Sequence, residues 1–400
     1  MVAEINENHC GKRIHAIVLT CDRPETLRRC LATALPSLGA DDMLTVLDDS
    51  VASLCSARSV LSAVGARVEG PTRVHLSTSR AIEVVSKASP AAQSVFLSKV
   101  ASRDIAPLRN LSLLFSAVVP AQTTILIDDD IHGFDLESSH NLIDKFAIAS
   151  PGVIIGSEME GISEVDMITR LTHAVDMLER RPAGASTESP RDLFRVPNCS
   201  HSGSECETAY VSGGYLAFRV PPHLLFAFPP GYNEDWLWCL LHGKNARVRV
   251  LRSGSGVIHD PPTIKMPTRE DVLFELVGDL VFDCLEEAQR AKDSEPEVAL
   301  AGLARKPPSL DSMPAARVSE LMEKTRSFIQ DHGPLSVLED YGLRILADML
   351  RTGELEMDGN GVLAEWCADA LAKHDSFVAI LRNESTTHAL KQLVQDETIS

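Results

Sequence analysis

The stretch ILIDDDIH, residues 125–132, runs an apolar segment straight into three consecutive carboxylates, Asp128, Asp129 and Asp130. Adjacent like charges repel, and a desolvated carboxylate is costly unless it is paired, so such a strand end demands a solvated turn or a cation. The pattern recurs upstream. Ile14–Thr20 (IHAIVLT) is an apolar run of strand length that stops at Cys21-Asp22-Arg23-Pro24, and Met43–Leu47 ends in Asp48-Asp49-Ser50. VHLST near Val74 reads as a third strand before TTILI. Between these runs, PETLRRCLATAL repeats apolar residues at Leu27, Cys30, Leu31, Ala34 and Leu35, the spacing of a helix with Pro24 in its first turn. APLRNLSLLFSAVV predicts another helix. Alternating strands and helices imply an α/β fold with a mainly parallel sheet covered on both faces. In such sheets a ligand lies beyond the carboxyl ends of the strands. Thr20 and Asp22, Asp48 and Asp49, and Asp128–Asp130 all fall there.

Further on, GVIIGSEME reads as a strand and EVDMITRLTHAVDMLERR as an amphipathic helix. A Ser-, Gly- and Pro-rich stretch follows over 182–207, expected to be a loop over the site or a linker. Order returns at AYVSGGYLAFRV, FPPGYNEDWLWCLLHGKNARVRVL and VIHDPP. Beyond Pro262 the character changes. TREDVLFELVGDLVFDCLEEAQ carries apolar pairs at 272/273, 276/277, 280/281 and 284/285, and helical patterns continue past breaks at Pro307-Pro308 and Gly333-Pro334. Residues 13–262 thus read as one α/β domain and 263–400 as a helical C-terminal appendage. The paired apolar positions there predict packing on the first domain or on a second copy, as a homodimer.

The chain has 400 residues, 44% hydrophobic and 24% charged, the balance of a soluble globular protein. Its net charge of −18 argues against nucleic acid or an anionic membrane as partner. No apolar run of about eighteen residues predicts a spanning helix. The segment MVAEINENHCGKR lacks the pattern of a signal peptide, and nine scattered cysteines without CxxC pairs fit free thiols in a reducing, cytoplasmic setting. Cys199, His201 and Cys206 lie close together, but without a fourth zinc ligand in obvious spacing they read as loop residues.

These residues resemble the GT-A glycosyltransferases, most closely the large family 2 type. The resemblance is carried, in order, by VLTCDRPETLRRCL, TVLDDS, LRNLSLL, ILIDDDI, VSGGYLAFR, NEDWLWCLL and VIHD, over roughly 13–262. It implies a Rossmann-like sheet, a UDP- or GDP-sugar donor, and Mn²⁺ or Mg²⁺ as cofactor. In the family's Asp-x-Asp pattern, Asp130 would bind the metal and Asp128 the ribose or metal, with His259 as a further metal ligand. The triple admits two registers, which leaves Asp129 unassigned. Thr20, Asp22, Asp48 and Asp49 would line the nucleotide pocket, Arg109 would face the nucleotide, and Gly213-Gly214 would let the backbone approach the sugar. Asp235, the second acid of Glu234-Asp235, would be the general base of an inverting transfer. The acceptor is left open: saccharide, peptide or small metabolite.

Bland readings stand beside these. The aspartates can be a solvated turn, Asp48–Ser50 a helix cap, Gly213-Gly214 a strand bulge, and Trp236 and Trp238 core residues rather than stacking platforms. The rival enzyme is a haloacid dehalogenase-type phosphatase, whose motif differs from ILIDDDIH by one residue. A nucleotidyltransferase lacks support because its Gly-rich phosphate loop is absent. A non-catalytic nucleotide-sugar-binding protein is the remaining alternative.

Overall fold

The computed structural model describes residues 12–50, 54–66, 70–96, 105–119, 121–161, 206–208, 211–243, 248–260, 268–291, 296–305, 313–332, 337–355 and 359–399. Its strands are β1 (Lys12–Thr20), β2 (Met43–Asp48), β3 (Thr72–Ser77), β4 (Ala121–Asp128), β5 (Ile131–His132), β6 (Gly152–Gly161), β7 (Cys206–Glu207), β8 (Tyr215–Arg219), β9 (Val248–His259) and β10 (Thr398–Ile399). They form one sheet in the order β10-β3-β2-β1-β4-β8-β6-β9-β5, with β7 beside β9. β1, β2, β3, β4, β6 and β9 share one direction, and β8 runs against them. The mainly parallel α/β sheet expected from the sequence is therefore present, with a mixed half contributed by β8 and the short strands.

Alternate residues of the central strands feed two separate cores, as a sheet buried on both faces requires. Ile14, Ala16 and Val18 of β1 and Ile125 and Ile127 of β4 pack on one face, against α1 (Pro24–Ala34), α2 (Leu54–Gly65) and α6 (Leu136–Ala147). Ile17, Leu19 and Leu126 pack on the other face, against α3 (Thr78–Ala88), α4 (Ala92–Phe96) and α5 (Ala106–Val118). This second core also holds Trp238 of α7 (Glu234–Gly243).

The C-terminal region supplies α8 (Arg269–Ala291), α9 (Pro296–Arg305), α10 (Met313–His332), α11 (Val337–Thr352), α12 (Gly359–Leu381) and α13 (Glu384–Asp396). It does more than append to the sheet domain. Phe377, Ile380, Leu390, Leu393 and Val394 are members of the same core as Ile17 and Leu126, and β10 pairs antiparallel with β3. The apolar pairs of α8 divide between two clusters. Val272 and Leu276 pack with α10 and α11, whereas Leu280, Val281, Cys284 and Leu285 pack with α7, α9 and α12. The face that suggested a homodimer is thus covered within one chain. The helix expected over 164–181 and the loop over 182–205 lie outside the described residues, together with Cys199 and His201. No helix among the described residues is long and apolar enough to cross a membrane.

Candidate active site

The chain runs outward from β1 to β2 and β3, then returns to β4 on the other side of β1. The carboxyl ends of β1 and β4 therefore make the switch point at which open α/β sheets bind ligands. Thr20 Oγ1 donates to Asp129 Oδ2 at 2.6 Å across that point. The neighbouring turns are tied together as well. Asp49 N–H donates to Thr20 O at 2.9 Å, and Asp22 N–H donates to Ser50 Oγ at 2.6 Å. Asp22 takes φ +52°, a left-handed conformation that short polar residues tolerate, and so turns the chain sharply into α1. Asp48 is buried with both oxygens occupied: Ser50 N–H donates to Oδ1 and His75 Nε2 lies against Oδ2, each at 3.0 Å.

The three aspartates, adjacent in sequence, have three different surroundings. Asp130 Oδ2 faces Arg23 Nη1 at 2.7 Å and His259 Nε2 at 3.5 Å. Burial works to raise its pKa, but the His259 and Arg23 contacts outweigh that and hold it low. Asp129 also meets Arg23, through Nε at 3.4 Å, yet burial dominates and pushes its pKa up to about 7. Burial likewise raises the pKa of Asp128, offset only in part by Arg109. Asp128 Oδ1 is sealed from solvent without a hydrogen-bond partner.

Arg109 is the hub between this cluster and α7. Only 4% exposed, its guanidinium lies 3.4 Å from Asp128 Oδ2 and 3.2 Å from Glu234 Oε1. Burial works to lower its pKa, and Glu234, Asp128 and Asp235 together override it and raise the value. Expected to face a nucleotide, Arg109 is instead committed to carboxylates inside the protein. Asn110 next to it clamps the backbone of Phe228, accepting from Phe228 N–H at 2.7 Å and donating to Phe228 O at 3.0 Å. That clamp fixes the segment leading to Glu234 and Asp235. The turn before them uses Gly231 at φ +107° and Asn233 at φ +60°.

Asp235 accepts from Gly213 N–H through Oδ2 and from Trp236 N–H at 2.9 Å through Oδ1. Gly213 has to be glycine, because a Cβ there would overlap Arg109 Nη1 and stand 2.7 Å from Asp235 Cβ. This close approach is to protein groups, not to an open pocket. Gly214 O accepts from Asp128 N–H at 2.9 Å, which joins the two halves of the site. Trp238 is a core residue, fully buried, stacked on Phe228 and donating through Nε1 to Phe226 O at 2.7 Å. Trp236 packs edge-on against Phe282 of α8.

Among the described residues no three carboxylate, imidazole or thiol groups stand close enough to share one ion. The expected trio of Asp128, Asp130 and His259 is therefore split: Asp128 turns to Arg109, and Asp130 keeps His259. This remaining oxygen and nitrogen pair fits a hard divalent ion that draws its other ligands from phosphate and water. The orphaned Asp128 Oδ1 adds a second carboxylate in need of positive charge. Sequence reasoning assigned no role to Arg23 or His75. Arg23 carries a signal in retrospect, since it ends the turn after β1 where the other site groups cluster. His75 lies inside a strand and carries none.

No family model and no curated protein matches the chain. Among solved structures it is similar to glucosyl-3-phosphoglycerate synthase from Mycobacterium tuberculosis in complex with phosphoglyceric acid, at 14% identity, TM-score 0.39, over 68% of this chain and 79% of that one. It is also similar to the mannosyltransferase PcManGT from Pyrobaculum calidifontis in complex with GDP-Man and Mn²⁺, at 14% identity, TM-score 0.39, over 91% and 86%. A third is S. aureus TarS 1-349 in complex with UDP-GlcNAc, at 12% identity, TM-score 0.39, over 85% and 92%.

Proposed function

We propose that the chain is a metal-dependent glycosyltransferase that takes a sugar from a UDP- or GDP-sugar and passes it, with inversion, to an acceptor. The observation that carries this reading is the acidic cluster at the β1–β4 switch point. There the Thr20–Asp129 hydrogen bond spans the two strand ends, beside the Asp130–His259 pair. The motif resemblance, which includes these same residues, agrees with it. Asp130 and His259 would hold Mn²⁺ or Mg²⁺. Such an ion would neutralise the charge that develops on a departing diphosphate. Asp48, oriented by His75 and Ser50, would sit at the base of the nucleotide, with Asp22, Asp49 and the Thr20 backbone around it.

Asp235 would take the acceptor's proton. It opens α7, and each of its oxygens has a second acceptor site beyond the one used by Gly213 or Trp236. Glu234, spent on Arg109, is the poorer candidate. Arg109 would act as a positioning residue that keeps Asp128 and the α7 acids in one geometry.

A screen of sugar nucleotides for metal-dependent release of UDP or GDP tests the reading, because slow transfer to water needs no known acceptor. Asp130→Asn is expected to abolish the metal dependence of nucleotide binding while leaving the fold intact by circular dichroism. Equal nucleotide affinity with Mn²⁺ and with EDTA would remove the metal assignment, and phosphate release from simple monoesters would favour the phosphatase. Asp235→Asn should keep nucleotide binding and lose transfer by on the order of a hundredfold or more. Near-normal transfer in that variant, or a product of retained anomeric configuration, sends the base elsewhere.

A further inference from the structure

Arg23 has no part in the reading above, yet it occupies the centre of the acidic cluster. Its Nη1 contacts Asp130 Oδ2, the same oxygen that His259 Nε2 faces, and its Nε approaches Asp129 Oδ1. The carboxylates are sealed, with side chains 0% and 7% exposed for Asp129 and Asp130, whereas the Arg23 side chain is 34% exposed. The guanidinium therefore closes the cluster from the solvent side. Its backbone is fixed by Asp22 at φ +52° on one side and by Pro24, the first residue of α1, on the other. Only the side chain can swing, and its exposed face leaves it a way out.

A divalent ion on Asp130 Oδ2 and His259 Nε2 would compete with the guanidinium that already holds that oxygen. A double and a single positive charge about 4 Å apart repel strongly even at an effective dielectric of about 20. Metal entry thus favours the departure of Arg23. The displaced guanidinium carries the fork of donors that suits a phosphate oxygen pair. We propose that Arg23 is a built-in counter-cation: it holds Asp130 while no metal is bound, yields that oxygen to the ion, and moves onto the diphosphate of the incoming nucleotide. The consequence is positive coupling between metal and nucleotide, since each favours the state in which Arg23 has left the aspartates. The inference rests on the reading of this cluster as a metal–nucleotide site.

Mn²⁺ titration of the full chain, followed by the EPR signal of free Mn²⁺ with and without UDP or GDP, tests it without any turnover. Arg23→Gln should bind Mn²⁺ alone about tenfold tighter than the wild type, within the usual range for such coupling. The gain in Mn²⁺ affinity on adding nucleotide should shrink by a similar factor. Arg23→Lys keeps the charge but loses the fork. It should keep the weak Mn²⁺ affinity and bind nucleotide less well at saturating Mn²⁺. Mn²⁺ affinity in Arg23→Gln no tighter than in the wild type overturns the role of Arg23, as does tighter binding in Arg23→Lys. A wild type that takes up no Mn²⁺ with either nucleotide overturns the metal–nucleotide reading itself, and this inference with it.

Discussion

Gly213 shows how one missing atom can hold a site together. Its N–H reaches Asp235, and the space a Cβ would need is filled by Arg109. Gly213→Ala must push either the guanidinium off Asp128 and Glu234 or the α7 acids off the β8 approach. A small-to-large change in so packed a place costs about 1–3 kcal/mol. A lowered melting temperature, with nucleotide binding and transfer both impaired, is the expected outcome. A fully stable and active alanine variant would mean that the Arg109 hub is not built as described. Residue-level reading of the sequence reached the carboxylates but not their counter-charges. The run of Asp128, Asp129 and Asp130 announces that positive charge is needed, and nothing in that run says that Arg109 and Arg23 provide it.

At the scale of one element, α7 shows a pH dependence set by its own last turn. His242 is buried, with Nδ1 2.8 Å from Trp238 O and Nε2 accepting from Phe226 N–H at 3.0 Å. Accepting a backbone N–H at Nε2 requires the neutral ring with its proton on Nδ1. Burial pushes its pKa from 6.5 down to about 4. Below about pH 6.5 the unfolded chain takes up a proton that the folded chain refuses until about pH 4. The stability contributed by neutral His242 is therefore complete above pH 7 and is lost as pH falls through that window. By linkage the loss approaches about 3 kcal/mol. Urea unfolding of wild type and His242→Gln at pH 7.5 and 4.5 should show the gap between them narrowing at the lower pH. A gap that stays constant would mean that His242 is not held neutral. The resemblance placed a helix start at NEDWLWCLL, although WLWCLL itself is an unbroken apolar run without helical spacing. The role of its histidine was not legible there, because the acceptor and donor come from the fold around it.

For the whole molecule, the C-terminal residues are structural members of the sheet domain. Glu397 binds Arg58 at 3.2 Å and pairs with Arg80, and its carbonyl accepts from His75 N–H at 3.3 Å, next to the His75–Asp48 contact. Leu390, Leu393 and Val394 sit in the core that backs β1 and β4. Deleting residues 384–399 removes buried apolar side chains worth about 1.5–3 kcal/mol each and bares the edge of β3. The expected result is a marked fall in thermal stability, aggregation, and weakened nucleotide binding through Asp48. A truncated chain that melts within a few degrees of the full one would restore the view of a separable appendage. Because α8 is covered on both halves of its stripe, light scattering at micromolar concentration is not expected to report a dimer built on that face.

Strands β1, β2 and β4, helices α1, α5 and α8, and the acidic character of the strand ends are legible in the residues alone. Apolar runs, helical spacing and turn residues act over a few positions, so they can be read from the chain alone. The sequence did not reveal that 248–259 is one continuous strand, that β8 runs against its neighbours, or that the chain's last strand closes the sheet at β3. The family resemblance named Asp128, Asp130 and His259 as a set, which the fold divides by turning Asp128 toward Arg109. Those pairings exist only once the sheet has folded. A charge's partner is set by which side chains the folded sheet brings within a few ångströms. Arg109 meets Glu234, and Arg23 meets Asp130, across more than a hundred residues of intervening chain over which no local pattern can act.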